Sequence, residues 1–168
     1  RENVAAAGLT NVDVRKGIIE QLPVDDTTVD WVISNCVINL SPEKARVFAE
    51  IARVLRPSGT MLVSDIVAED LPEELMTNQH LYSSCLTGAV SEQEYLGGLR
   101  EAGLVDVEVI DRMVYDADQL EAFIGSELQE DGGSCCGTGS VDPELARHWA
   151  GQLQGKIASV KVRARKPG

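Results

Sequence analysis

Two near-continuous apolar runs, residues 29–34 (VDWVIS) and 60–67 (TMLVSDIV), bracket a single amphipathic segment, residues 41–55. Runs of six to eight residues, rich in Val and Ile, are the mark of strands covered on both faces, so the first of them reads as a central parallel strand. The segment between them reads as a helix. Ser41 stands at its N-cap, Pro42 at its first turn, and Phe48, Ile51, Ala52 and Leu55 recur at helical spacing. Strand, helix and strand joined by short loops predict a parallel α/β sheet.

The rest of the chain fits around that unit. Residues 1–8 read as the end of a helix stopped by Gly8, without a cap or an initiator methionine before it, as expected of a carboxyl-terminal piece of something longer. Residues 12–15 read as a short strand and 17–23 as a loop. Residues 69–84 form a polar stretch of helical pattern. "SEQE" at 91–94 is a capping box opening a helix to Gly103, with Tyr95, Leu96 and Leu99 inward. Residues 105–110, continuing to 115, read as strand, 118–128 as helix, and 130–140 (EDGGSCCGTGS) as a Gly/Ser loop. Asp142 and Pro143 open a last helix to Leu153, and 157–165 is a final strand. Its alternation of Lys161, Arg163 and Arg165 with Val160, Val162 and Ala164 describes one solvated and one buried face. Trp31 reads as core.

With 43% hydrophobic and 25% charged residues in 168, the composition is that of a soluble globular domain with a core of its own. The apolar runs are too short to span a bilayer, and no signal peptide opens the chain. A formal net charge of -12 argues against nucleic acid as a partner. The four cysteines, at 36, 85, 135 and 136, have neither the density of a secreted disulfide framework nor the paired Cys-x-x-Cys spacing of a zinc ribbon. A reducing cytoplasm is the expected location. Neither His80 nor His148 has metal-ligand spacing.

The segment "NVDVRKGIIEQLPVDDTTVDWVISNCVINL" resembles the class I S-adenosylmethionine-dependent methyltransferases. Gly17, Ile18, Ile19, Glu20, Leu22 and Pro23 are similar to that family's loop after strand 3, and Asp30 introduces its fourth strand. "RVLRPSGTMLVSD" resembles the junction into its fifth strand, with Ser58 at a place where glycine is usual. "ISNCVINLSPEK" and "CLTGAVSEQEYLGGLREAGL" together resemble the arsenite methyltransferases. The resemblance implies an α/β, partial Rossmann-like fold made of strands 3 to 7 with their helices. Strands 1 and 2, the glycine-rich cofactor loop and an amino-terminal cysteine would precede Arg1. It implies residues 1–115 as the carboxyl-terminal part of the methyltransferase domain. Residues 116–168 would be a helix, the Cys-Cys loop, a helix and a final strand packed on the same domain.

It also implies the chemistry. S-adenosylmethionine would be the cofactor, touched by Gly17, Ile19, Glu20 and Asn35. Trivalent arsenic would be held by Cys36 and Cys85, with Cys135 and Cys136 as auxiliary ligands and a thiol reductant of the glutathione or thioredoxin class as partner. A soft metalloid prefers thiolate ligands. Read from residue type alone, Cys36 and Cys85 are small buried hydrophobes, Glu20 is an exposed loop acid and Asn35 a strand-end cap. Asp65, at the end of its strand, either orients a substrate loop or is a turn residue, the turn being the simpler reading. Two further functions stay open at this stage. One is methyl transfer to a small organic acceptor. The other is metalloid binding without catalysis, since this piece alone should lack most of the cofactor cradle and be inactive.

Overall fold

In the computed structural model of the protein, residues 1–72, 74, 86, 88–127 and 143–168 are described. In chain order the elements are α1 (Glu2–Ala6), β1 (Val29–Asn35), α2 (Lys44–Val54), β2 (Leu55–Ala68), α3 (Glu92–Glu101), β3 (Val105–Val114), α4 (Ala117–Glu127), α5 (Pro143–Leu153) and β4 (Ile157–Arg165). The four strands form one sheet in the order β1-β2-β4-β3. β1 runs parallel to β2, and β4 is antiparallel to both of its neighbours. The expected α/β fold is present.

Alternation along the strands assigns the two faces of the sheet. Met61, Val63 and Val67 of β2 join Val160, Val162 and Ala164 of β4 in one cluster, packed on Val47, Phe48 and Ile51 of α2 and on Tyr95 and Leu99 of α3. Ile66 and Ala68 point the other way and meet Leu120 and Ile124 of α4 and Trp149, Ala150 and Leu153 of α5. The sheet thus lies between two helical layers. Gly98 allows α3 to close on α2, for a Cβ there would stand 2.8 Å from the Phe48 ring. On β4 the basic residues point to solvent, where Lys161 meets Asp111 at 2.7 Å, Arg163 pairs with Glu108, and Arg165 meets Asp106 at 3.5 Å.

Several expectations need correction. The segment 12–15 forms no strand. Among the described residues no strand lies beyond β1, so β1 is an edge of this sheet rather than the central strand expected. Trp31 is 59% exposed and Ile33 75%, so Trp31 is not core. Ser41 is not the N-cap of α2. That helix begins at Lys44 after Glu43, and Ser41 instead accepts the Glu43 amide at 3.1 Å in a local turn. The strand expected over 60–67 extends from Leu55, with residues 56–59 bulging between the rungs Val29↔Leu55 and Trp31↔Thr60. Ser91, by contrast, caps α3 as expected, accepting the Glu94 amide at 3.1 Å. Most of the polar stretch at 69–84 and the whole loop at 130–140 lie outside the described residues.

Candidate active site at the carboxyl end of the parallel strands

In open α/β sheets, ligands bind beyond the carboxyl ends of the parallel strands. Here that place is the end of β1. Asn35, its last residue, is exposed, and Cys36 follows, half-buried with φ +54. A non-glycine residue in that region is uncommon and is held by its surroundings. The hold is the Cys36 amide, which donates to the Ser64 carbonyl of β2 at 2.9 Å.

After Cys36 the chain makes one tight turn, Ile38–Leu40. Asn39 is buried there, and its Nδ2 donates to the Ile66 carbonyl at 2.7 Å. Lys44, the first residue of α2, folds its ammonium back to donate to the carbonyls of Ser41 (3.0 Å) and Asn39 (3.3 Å). Removal from water pushes the Lys44 ammonium below its ordinary pKa, while Asp65 and Glu94 oppose that shift.

The turn at 18–21 is brought against the same loop. Ile19 packs on the edge of the α2–α3 core. Glu20 accepts a short hydrogen bond from the Ser41 hydroxyl. That bond holds the Glu20 carboxyl below the usual range. Gly17 is needed because a Cβ would come within 2.6 Å of Pro23. Of the residues expected at a site, then, the structure gathers Cys36, Asn35 and Glu20 around one loop, with Ile19 and Gly17 on the turn beside it.

Cys85, Cys135, Cys136 and His80 lie outside the described residues. The flank of Cys85 is nevertheless informative. Leu86 is fully buried. Gly88 lies so close to Asn39 that a Cβ on it would fall 2.0 Å from the Asn39 carbonyl oxygen. The segment that follows Cys85 therefore rests on the turn that follows Cys36. His148 is exposed and bonded to Gln152 on its own helix, in keeping with a surface role.

Asp65 is the residue that sequence reasoning misplaced. It is not a turn residue but lies within β2, fully buried on the core face between Val63 and Val67. The Tyr95 hydroxyl donates to its Oδ2 at 3.0 Å, and its Oδ1 has no hydrogen-bond partner among the described residues. Burial pushes the Asp65 carboxyl up to about 6, against the lowering effect of Tyr95. Burial likewise pushes the Tyr95 phenol far above its ordinary value, helped by Asp65 and by the charge of Cys36 nearby. Asn39 and Lys44 were missed as well. The one available signal was an acid at a core-facing position of an apolar strand.

Known proteins share this fold. The crystal structure of an arsenic(III) S-adenosylmethionine methyltransferase from Chlamydomonas reinhardtii superposes with a TM-score of 0.66 at 31% identity, over 90% of this chain and 43% of that one. The four strands and their helices accordingly match part of a class I methyltransferase fold. Residues 1–103 match the family described as "Methyltransferase domain", and the chain belongs to that family. The arsenite methyltransferase of Halobacterium salinarum is 44% identical over 110 residues, 65% of this chain and 28% of that protein. The dimethylglycine N-methyltransferase of Parasynechococcus marenigrum is 29% identical over 175 residues, spanning 100% of this chain and 62% of the relative. The chain thus spans less than two thirds of each of these proteins.

Proposed function

We propose that the protein containing this chain is an arsenite methyltransferase, in which Cys36 and Cys85, with a cysteine encoded before Arg1, hold trivalent arsenic for methylation. The observation that carries this reading is the contact of Gly88 with Asn39, which sets the sequence following one cysteine on the turn following the other. The Halobacterium and Chlamydomonas relatives support the choice of acceptor. Cytoplasmic residence follows from thiolate ligands that need a reducing compartment.

S-adenosylmethionine supplies an electrophilic methyl group on a sulfonium. The residues present fit the part of a cradle that touches an adenine. Ile18 and Ile19 offer apolar side chains at the turn, and Gly17 and Pro23 set its shape. The Glu20 carboxylate is engaged by Ser41, which assigns Glu20 to fixing that turn against the Cys36 loop. Asn35 offers an exposed amide at the strand end.

Cys36 would bind arsenic as thiolate, so its proton leaves with a hydroxide of the arsenous acid as water. Arsenic held by thiolates keeps a lone pair, which is the nucleophile, so no general base is required. What the chain contributes is placement and exclusion of water, and placement alone lowers a barrier by about 7–11 kcal/mol. Transfer of the methyl would form an As–C bond as the S–CH3 bond breaks, its electron pair leaving on sulfur as the thioether of S-adenosylhomocysteine. It would raise arsenic by two oxidation levels. A thiol reductant of the glutathione or thioredoxin class would return it to the trivalent state. Changing either Cys36 or Cys85 to Ser in the full-length protein is expected to abolish formation of methylated arsenic from arsenite. Full activity in both variants would reject the assignment.

A further inference from the structure

β1 leaves the sheet before β2 does, and β2 is left with an acceptor to satisfy. Along a strand, the carbonyls of every second residue face the same neighbour. The Ser64 carbonyl takes the Cys36 amide at 2.9 Å, the last bond of the β1 ladder. At Cys36 the backbone turns away, with φ +54. The Ile66 carbonyl comes next on the same edge, in a residue only 1% exposed, and a buried carbonyl needs a donor. Asn39 provides it from a side chain. Its Nδ2 donates to the Ile66 carbonyl at 2.7 Å, from a residue that is itself 2% exposed. A side-chain amide thus makes the bond that the backbone of β1 no longer makes.

The same residue meets the segment 86–90. Gly88 lies against the Asn39 main chain, where a Cβ would stand 2.0 Å from the carbonyl oxygen and 3.0 Å from the carbonyl carbon. That segment is fastened to β2 in its own right. The Val90 carbonyl accepts the Ala68 amide at 3.0 Å, and Leu86 is buried in one cluster with Ile66 and Ala68. From the side of α2, the Lys44 ammonium donates to the Asn39 carbonyl at 3.3 Å and to the Ser41 carbonyl at 3.0 Å. Ser64, Ile66 and Ala68 are therefore three successive anchors on β2, and Asn39 stands between the two segments they hold. We propose that Asn39 is a positioning residue that clamps the turn after Cys36 to the segment 86–90, through the Ile66 carbonyl and the Gly88 contact. A turn held in this way presents Cys36 in one orientation, at a φ that an unsupported loop would abandon. With Cys36 and Cys85 as metalloid ligands, the clamp would also set their spacing, because Cys85 directly precedes Leu86 in the chain.

The consequence for catalysis rests on that ligand reading, but the positioning can be tested apart from it. In the full-length protein, Asn39→Ala removes the donor. Asn39→Asp keeps the size of the side chain and, while ionised, also lacks a donor. At about pH 8, each is expected to speed amide hydrogen exchange in residues 36–41 by about fivefold over the parent protein, with β4 changed less than about twofold. Burial beside a carbonyl raises the pKa of a carboxyl group, and protonation returns a donor to the Asn39→Asp side chain. At about pH 5 its exchange should therefore fall to within about twofold of the parent at that pH, while Asn39→Ala stays fast. Each variant is also expected to raise the arsenite KM about tenfold while changing the S-adenosylmethionine KM less than about twofold. Exchange in 36–41 that matches the parent in both variants at the higher pH would overturn the proposal. So would exchange that rises equally in β4, which would make Asn39 a support of the core alone. Exchange in Asn39→Asp that is as fast, relative to the parent, in acid as at the higher pH would overturn it too. If Asn39→Ala does not fold, the pH dependence of Asn39→Asp decides. Full methylation by Cys36→Ser would instead reject the ligand reading, and the exchange measurement would still decide the positioning.

Discussion

Asp65 shows how a single side chain escapes sequence reasoning. Its neighbours in "VSDIVAED" mark the end of an apolar run, where an acid usually begins a turn. What places it in the core is the Tyr95 hydroxyl thirty residues later, together with the register that puts Asp65 opposite Val160. Neither is visible in a local window. The chemistry of the site is thus hidden where a buried polar group finds its partner across the fold. The place of Cys36 just past a strand end was legible because the strand pattern is local, and so was the loop holding Ile19 and Glu20. The role of Glu20 toward Ser41 was not.

The Asp65 carboxyl has a pH signature whose sign follows from its shift. Its pKa rises from 3.8 when unfolded to about 6 when folded. The folded state therefore favours the protonated acid, and that stabilisation is complete below pH 3.8 and lost as pH rises through about 6. Asp65→Asn removes this dependence. Its stability relative to the parent chain should rise by about 2 kcal/mol between pH 4 and pH 7.5. Urea denaturation at the two pH values gives the difference, and a gap that does not grow with pH would show that Asp65 is not a strained acid.

At the level of elements, alternation was a sound guide, while capping was read correctly at Ser91 and not at Ser41. The span of β4 and the cap of α3 are as their patterns predicted, because each is set by alternation or by a side chain three residues away. The start of α2 shifted because Ser41 bonds Glu20 and the Glu43 amide, leaving the helix to begin at Lys44. The bulge in β2 joins the two kinds of evidence. Ser58 occupies φ +64 there, at the position where the sequence motif resembled one with glycine, and its amide donates to the Lys166 carbonyl at 3.1 Å.

Two substitutions follow from this. A left-handed conformation costs a side-chain-bearing residue about 1–2 kcal/mol. Glycine loses about 0.5–1 kcal/mol of that advantage to unfolded-state entropy. Ser58→Gly should therefore stabilise the chain by about 0.5 kcal/mol, read as a higher urea midpoint with an unchanged slope. Ser91→Ala removes the only side-chain bond to the Glu94 amide among the described residues and should cost about 1 kcal/mol. A lower midpoint for Ser58→Gly would mean that the serine hydroxyl compensates for its backbone.

For the molecule as a whole, the sheet is asymmetric at its two edges. β3 ends in a row of acids paired with β4, and exposed charge of that kind discourages strand addition. β1 carries one such pair among the described residues, Asp30 with Arg56 at 3.0 Å near its start. Trp31 and Ile33 present apolar side chains beside a backbone edge with no strand partner among the described residues, and Val37 and Leu40 continue the apolar surface past its end. An apolar edge of this kind is a template for pairing. The formal net charge of -12 opposes it by repulsion between copies. The two effects differ in range. Repulsion between exposed charges is screened over about 8 Å at physiological salt and about 3 Å at 1 M, whereas apolar contact is not weakened by screening. The isolated chain is therefore expected to self-associate more strongly as salt rises, as measured by sedimentation velocity. Ile33→Lys, which puts a charge at the middle of the edge, should restore the monomer at every salt concentration. Association that is insensitive to Ile33→Lys would place the contact elsewhere. A chain that stays monomeric at high protein concentration and 1 M salt would show that the edge of β1 is not an adhesive surface.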